Sequence, residues 1–199
     1  MSESQGALKI GVLISGSGSN LQAIIDRIDQ GTLDAEIVLV ISSRPDAFGL
    51  TRAEKAGIPT LALNREVYQD VPAANKRIAD ALKEAGAEYV IMAGYMRKLT
   101  NEVLDAYPDK VVNLHPALLP SFKGAHAIED YDKGPIIAQR AVEIREDDTL
   151  ESLETRIHEA EHELYPEVIS LLAQQRVHID PETRTVHIDP ETRTVPIES

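Results

Sequence analysis

The chain contains no cysteine and no tryptophan among its 199 residues, and aromatic residues make up only 4% of it. Without cysteine the protein has neither disulfides nor a thiolate nucleophile, which fits a reducing cytoplasm. No apolar run approaches the roughly 20 residues that span a bilayer. The polar segment 1–6 also lacks the basic start of a signal peptide. We therefore expect a cytoplasmic protein with no membrane partner.

Basic residues are scarce in the C-terminal part of the chain, and the net charge is -13. From Glu143 onward there are 15 acidic and 5 basic residues, whereas the first 142 residues hold 18 acidic and 15 basic ones. A protein of this charge is a poor ligand for the phosphate backbone of nucleic acids, so we expect no nucleic-acid partner. The nearly neutral N-terminal part remains suitable for a small anionic ligand.

Hydrophobic residues make up 43% of the sequence, enough for the core of one α/β domain. The segments between the apolar runs carry helix signals, such as Pro72 in a first turn and Gly86 after a last turn. Five short apolar runs predict strands at residues 8–14, 36–41, 60–63, 88–93 and 111–112. A sixth strand is predicted at residues 135–142. Alternating strands and helices predict an α/β fold with a doubly wound, mostly parallel sheet.

The C-terminal tail repeats the nine-residue unit VHIDPETRT twice within residues 177–194. Each copy holds Asp-Pro-Glu-Thr, a good type I turn, between alternating apolar residues, which predicts a β-hairpin. His178 and His187 occupy equivalent positions, and we interpret both as strand surface. We expect an α/β domain at residues 1–176 and a hairpin tail at residues 177–199.

The first predicted strand runs into the small-residue segment 15–20, SGSGSN, and then into an amphipathic helix. Such a turn lets backbone N–H groups converge on an anion at the helix N-terminus. Leu21 stands where a dinucleotide fingerprint needs its last glycine, and no lysine provides a P-loop. We favour a single phosphate of a mononucleotide-like ligand, while a tight turn without a ligand remains the alternative.

Asn113 and His115 lie at the end of the fifth predicted strand, just before a segment bracketed by Pro116 and Pro120. An extended backbone directs both side chains to the same side. Ligands of open α/β sheets bind at strand C-termini. An amide can stabilise a developing oxyanion, and an imidazole can exchange a proton near neutral pH. The alternative is a loop with a capping asparagine and a surface histidine.

A long helix is predicted from Thr149, and Glu161 falls in its apolar stripe. A carboxylate there needs a partner or a ligand, unless it lies at the edge of the stripe and reaches water. The same helix contains His158, Glu159 and His162, a formal match to the H-E-x-x-H zinc motif. Because the apolar stripe already explains the helix, we expect no metal. The stripe consists of Leu150, Leu153, Ile157, Leu164, Val168 and Leu171.

Four segments in this order resemble one family of enzymes: SGSGSN at residues 15–20, MAGYMR at 92–97, NLHPALLP at 113–120 and EHELYP at 161–166. The N-x-H-P segment resembles folate formyltransferases in general. Together with the first and last segments, it resembles the phosphoribosylglycinamide formyltransferases. The resemblance implies transfer of a formyl group from 10-formyltetrahydrofolate to the amine of 5'-phosphoribosylglycinamide in purine biosynthesis, without a metal.

The resemblance also implies roles for individual residues. The backbone of Gly18, Ser19 and Asn20 would hold the ribonucleotide phosphate, and Glu161 would contact the same substrate. Asn113 would hold the formyl oxyanion, His115 would be the general acid and base, and Asp132 would pair with His115 and raise its pKa. The residues implied for the folate site are Arg65, Met96, Arg97, Lys98, Leu99 and Asn113.

The sequence departs from the family between Asp130 and Asp132, where roughly twenty residues, about one strand with its turns, are lacking. Two further hypotheses therefore stay open. The protein could bind the ribonucleotide without turnover, or it could formylate an initiator transfer RNA, which the acidic C-terminal part disfavours. The partners expected are the two small-molecule substrates, and a homodimer is left open.

Overall fold

The computed structural model describes residues 6–115 and 134–191, and its centre is a parallel sheet of five strands. The strands follow the order β3-β2-β1-β4-β5. The first three strands therefore extend the sheet from β1 to β3 in one direction, and β4 and β5 are added on the opposite side of β1. This confirms the predicted doubly wound sheet. The strands are β1 (Leu8–Ile14), β2 (Ala35–Ser42), β3 (Thr60–Ala62), β4 (Tyr89–Met92) and β5 (Val111–Asn113).

The described residues form five α-helices beside the sheet, and local sequence signals mark the ends of several of them. Asp70 caps the third helix by accepting a hydrogen bond from the N–H of Ala73. Thr149 and Ser152 form a reciprocal capping box at the start of the fifth. None of the described helices is long and apolar enough to cross a bilayer. The helices are α1 (Ser19–Asp29), α2 (Phe48–Lys55), α3 (Val71–Glu84), α4 (Asn101–Leu104) and α5 (Leu150–Ala173).

Two hydrophobic clusters cover the two faces of the sheet. Alternation along β1 divides its side chains: Ile10, Val12 and Ile14 belong to the first cluster, and Leu13 belongs to the second. The first cluster also contains buried apolar side chains of α1, α2 and α5, and the second contains buried apolar side chains of α3 and α4. The fold is therefore a three-layer sandwich with its sheet buried on both sides.

The predicted strand at residues 135–142 is wrong, because these residues are described and form neither strand nor helix. A strand requires a neighbouring strand to accept its hydrogen bonds. Within the described chain β5 pairs with β4 alone, so no ladder extends to this segment. Arg140 instead forms ion pairs of 2.5 Å and 2.9 Å with Glu163 and Glu167 of α5.

The apolar stripe predicted for α5 is only partly correct. Leu150 is 74% exposed, whereas the buried residues lie in the C-terminal half of the helix. This half packs on α1 and the sheet, and its register places Tyr165, rather than Leu164, in the fully buried position. Which helix face is buried depends on where the helix crosses its neighbours, which periodicity alone does not define. The buried residues of α5 are Tyr165, Pro166, Val168, Ile169 and Leu172.

The predicted C-terminal hairpin is confirmed as an antiparallel pair, β6 (Val177–Ile179) and β7 (Val186–Ile188). Each copy of the repeat contributes one strand, and His178 lies directly opposite His187. Arg184 of the turn forms an ion pair with Asp109, near the start of β5. The division of the chain at residues 176 and 177 stays a prediction.

Candidate functional site

The carboxyl ends of β1, β2 and β4 meet at Ser15, where the strand order reverses. Ser15 is 5% exposed, and its Oγ lies 2.6 Å from the Oγ of Ser43, which follows β2. The same Oγ accepts a hydrogen bond of 2.8 Å from the N–H of Met96, which follows β4. The Ser15 hydroxyl therefore joins three loops at the position where open α/β sheets bind ligands. The sequence placed Ser15 in the turn but did not predict this role.

The loop between β1 and α1 has the features of an anion site. Gly18 is the N-cap of α1 with φ 69°, and no side chain caps the helix. The N–H groups of the first helical turn therefore lack intrahelical acceptors, and the helix dipole is positive there. A Cβ atom on Gly18 would lie 2.6 Å from the Cα of Gly49, so the loop packs directly against the start of α2. Ser19 and Asn20, the first residues of α1, are partly buried beside it.

A hydrogen bond brings Glu161 to the same helix end. Asn20 Nδ2 donates to Glu161 Oε2 at 3.0 Å, across 141 residues of sequence. Of the two interpretations left open for Glu161, the structure supports the one in which the carboxylate has a partner. Asn20 Oδ1 and His162 Nε2 are buried and have no hydrogen-bond partner in the part of the chain that is described. Polar atoms of this kind are suited to a ligand.

Tyr165 fastens α5 to the ends of two strands. Its side chain is 2% exposed, and its hydroxyl donates to the carbonyl oxygens of Val112, at 2.9 Å, and Met92, at 3.1 Å. Burial raises the pKa of the Tyr165 phenol, so the group remains a neutral donor. The carbonyl of Val112 directly precedes Asn113 in β5, and the carbonyl of Met92 belongs to the β4 residue that pairs with Asn113.

Asn113 and His115 lie where the sequence predicts, at and just beyond the carboxyl end of β5. Asn113 is exposed and pairs in register with Met92 of β4, and His115 is partly buried. Neither residue is without an interaction partner. Asp132, the expected companion of His115, lies outside the described residues.

The residues predicted for a folate site follow β3 and β4 but differ in exposure. Met96 is 80% exposed, and Arg97 lies with its guanidinium 4.9 Å from the centre of the Tyr68 ring. Arg65 and Lys98 are exposed too. Met96, Arg97 and Lys98 follow β4 and Arg65 follows β3, so all four residues lie beyond the carboxyl ends of strands.

Leu99 differs from these residues because its side chain belongs to the second hydrophobic cluster and is 9% exposed. Only its backbone is therefore available to a ligand. Asn75, which is fully buried, fixes this loop: its amide donates to the carbonyl of Lys98 at 3.4 Å and accepts from the N–H of Thr100 at 3.0 Å. The role of Asn75 was not predicted from the sequence, because Lys98 and Thr100 lie more than 20 residues away from it.

The two histidines of the H-E-x-x-H match are stacked on one face of α5. The rings of His158 and His162 lie 6.2 Å apart and 16° from parallel. Burial lowers the pKa of the His162 imidazole, and the proximity of His158 lowers it further. In the described ranges, no group of three or more His, Asp or Glu side chains could hold a metal ion.

The chain matches one known protein family over most of its length. A family model described as "Formyl transferase" matches residues 8–130 and 128–169. These two stretches include every described residue of the site, and they overlap at residues 128–130, just before Asp132.

Curated relatives of similar length include the phosphoribosylglycinamide formyltransferases of Bacillus subtilis and Haemophilus influenzae. The first is 39% identical over 183 residues, which cover 82% of this chain and 94% of the relative. The second is 34% identical over 190 residues, which cover 86% and 90%. The trifunctional purine biosynthetic protein adenosine-3 of Bos taurus is 39% identical over 190 residues, but the match spans only 19% of that protein.

Solved structures give the same result in three dimensions. Glycinamide ribonucleotide transformylase 1 from Symbiobacterium toebii is 40% identical with a TM-score of 0.87, covering 94% of this chain and 96% of that one. The phosphoribosylglycinamide formyltransferase of Anaplasma phagocytophilum is 35% identical with a TM-score of 0.82, covering 93% and 96%.

Proposed function

Because the chain belongs to the formyl transferase family, we propose that it transfers the formyl group of 10-formyltetrahydrofolate to the amine of 5'-phosphoribosylglycinamide. This reaction belongs to purine biosynthesis, and the relatives are named for the same acceptor. Their names favour the small ribonucleotide over a transfer RNA as the formyl acceptor.

The observation that carries the proposal is the hydrogen bond between Asn20 and Glu161 at the open end of α1. It places a carboxylate next to a helix N-terminus that lacks a side-chain cap. The helix end suits the phosphate of the ribonucleotide. The carboxylate suits the hydroxyl or amine donors of the same molecule. One substrate can therefore satisfy both groups.

The formyl donor would lie on the other side of the switch point, against the loop that follows β4. Met96 offers an exposed apolar side chain, and Arg65, Arg97 and Lys98 offer positive charge. A folate combines a flat ring system with a carboxylate-bearing tail, and such a ligand requires both kinds of contact. The backbone of Leu99 and the side chain of Asn113 would complete this subsite.

Asn113 and His115 would carry the chemistry between the two subsites. The acceptor amine forms a bond to the formyl carbon, which becomes tetrahedral and bears an oxyanion. The Asn113 amide and protonated His115 stabilise that charge. The bond between the formyl carbon and the folate nitrogen then breaks. His115 transfers its proton to this leaving nitrogen, and the neutral imidazole then accepts the proton that the acceptor amine loses. Asp132 would keep the imidazole protonated.

Replacement of His115 tests the proposal. We expect His115→Ala to lower kcat by about 10²- to 10⁴-fold in a coupled assay that follows loss of the formyl-folate. Ribonucleotide affinity, measured by calorimetry, should remain close to that of the parent. His187→Ala, in the C-terminal hairpin, is the matched control and should leave turnover unchanged. Equal turnover by the parent and His115→Ala would contradict the proposed role of His115.

A second candidate function is binding of the ribonucleotide without turnover. It is favoured by the segment 135–142, which forms no strand, and by the meeting of the two family matches at residues 128–130, next to Asp132. If the parent binds the ribonucleotide but consumes no formyl-folate, this second function holds and the first does not.

The location and the assembly of the protein are two further proposals. The composition favours the cytoplasm, and a homodimer remains a hypothesis. Light scattering of the purified protein at several concentrations would decide between monomer and dimer.

A further inference from the structure

Helix α2 is bonded to the loop between β1 and α1 at two successive peptide groups. The N–H of Gly49 donates to the carbonyl of Gly16 at 3.0 Å. Arg52, one turn further along α2, donates from Nε to the carbonyl of Ser17 at 2.9 Å. Neither α2 residue was predicted from the sequence to take part in the site. Both hydrogen bonds are accepted by backbone carbonyls of the loop, and neither involves a side chain of the loop.

These two bonds determine the direction of the loop N–H groups. In a trans peptide the carbonyl and the N–H of the same plane point in opposite directions. Because the carbonyls of Gly16 and Ser17 point to α2, the N–H groups of Ser17 and Gly18 point away from it. Successive N–H groups aimed to one side form the kind of concavity that binds anions. The first N–H groups of α1 follow directly in the chain.

We propose that Arg52 is a positioning residue for the phosphate subsite and acts through the peptide between Ser17 and Gly18, without contacting the phosphate. The inference rests on the proposed function only in taking this loop as the phosphate site. Without the hydrogen bond from Arg52, that peptide is free to rotate and its N–H leaves the concavity. The affinity for a phosphate then falls, although every N–H donor is still present in the chain.

Two further contacts keep the guanidinium in this orientation. Arg52 Nη1 donates to Gln22 Oε1 at 3.1 Å, and the Phe48 ring lies 4.9 Å from the guanidinium carbon. Gln22 in turn donates to Asp26 at 2.8 Å on the next turn of α1. Arg52 donates to the two oxygens from two nitrogens that the planar guanidinium holds in fixed positions, whereas a lysine would have to reach both from one ammonium nitrogen.

Three variants separate positioning from direct charge. Arg52→Gln places its amide nitrogen the same number of bonds from Cα as Arg52 Nε, so it keeps the Ser17 donor and loses the charge. Arg52→Lys keeps the charge but has a methylene group at the Nε position. Arg52→Met keeps neither. Arg77→Met, on the exposed face of α3, is the matched control for loss of an arginine.

The readouts are the amide signals of Ser17 and Gly18 in nuclear magnetic resonance during titration with inorganic phosphate, and the calorimetric affinity for the ribonucleotide. The parent, Arg52→Gln and Arg77→Met should saturate at similar concentrations. Arg52→Lys and Arg52→Met should need about tenfold to a hundredfold more ligand, the effect of one hydrogen bond to a charged group. Folate affinity and the thermal midpoint of Arg52→Lys should stay near those of the parent.

Other results would overturn the inference. An Arg52→Lys variant that matches the parent, together with an impaired Arg52→Gln variant, would mean that the charge acts directly on the phosphate. Equal binding by all variants, an equal loss in Arg52→Gln and Arg52→Met, or no response of the parent to phosphate would also exclude it. Neither readout requires turnover, so the positioning role of Arg52 can be tested even if the protein shows no formyl transfer.

Discussion

The side chains of Asn20 and Glu161 meet at the N-terminus of α1, where Asn20 Nδ2 donates to Glu161 Oε2 at 3.0 Å. The contact joins the first turn of the first helix to the middle of the last one. It restrains a carboxylate beside a positive helix end, where the charge is favourable. The same contact leaves Asn20 Oδ1 buried and without a partner among the described residues. The pair therefore connects α1 to α5 and is also a candidate contact for the substrate.

Glu161→Gln should separate these two roles. A glutamine oxygen still accepts from Asn20, so we expect the free energy of unfolding to change by less than about 1 kcal/mol. The ribonucleotide loses a charged acceptor, so its Kd should rise by about tenfold or more. Calorimetry and urea unfolding measure the two quantities. Glu159→Gln, an exposed neighbour, is the control; if both variants bind equally well, Glu161 does not contact the substrate.

Gly18→Ala should destabilise the protein more than Gly31→Ala does. Both glycines have a left-handed backbone, with φ 69° and 68°, so each alanine incurs a similar backbone strain of about 1–2 kcal/mol. Only a Cβ atom on Gly18 meets another backbone, at 2.6 Å from Gly49 Cα, whereas nothing lies within 4 Å at Gly31. The difference in urea midpoint between the two variants measures the clash. Equal midpoints would mean that α2 moves away freely.

Tyr165→Phe should lower the free energy of unfolding by about 1–3 kcal/mol, because two strand carbonyls then lose the donor that serves them in a buried site. We also expect a lower kcat, since the carbonyl of Val112 directly precedes Asn113 and that of Met92 belongs to the residue paired with it. Tyr107→Phe is a suitable control, because the Tyr107 hydroxyl is buried and has no partner in the described structure. That substitution should be close to neutral or stabilising, and a similar loss in both variants would argue against a specific role for the Tyr165 hydroxyl.

Stability should fall in acid partly through Asp148, just before α5. The backbone N–H of Arg145, with Arg156 and Ser152, lowers the pKa of this carboxyl to about 2. A carboxyl whose pKa is lower in the folded state stabilises the fold above its ordinary pKa of 3.8 and loses that contribution as pH falls toward 2. Between pH 4 and pH 2 the thermal midpoint should therefore fall less in Asp148→Asn than in the parent. Asp147→Asn is the control, and parallel curves for parent and Asp148→Asn would contradict the assignment.

The parts of the fold that the sequence predicted are those specified by neighbouring residues. The apolar run of β1, the start of α3 at Pro72 and the start of α5 at Thr149 each depend on contacts within a few residues. The segment 135–142 has the apolar pattern of a strand but lacks a partner, and periodicity cannot reveal whether a partner is present. The apolar stripe predicted for α5 was wrong in the first half of the helix for a related reason, because a side chain is buried only where the helix has a surface to pack against.

The sequence by itself determined the alternation of strands and helices, the small-residue turn at 15–20, the positions of Asn113 and His115, and the hairpin encoded by the repeat. These follow from local backbone preferences and from spacing along the chain. Only the tertiary structure decided that Ser15 bonds to Ser43 and Met96, that Asn20 donates to Glu161, and that Arg52 donates to the carbonyl of Ser17. Each of these contacts joins residues at least 28 positions apart. Their partners are defined only when the sheet and its helices have packed, because hydrogen bonds between distant segments depend on the arrangement of the layers and not on local sequence.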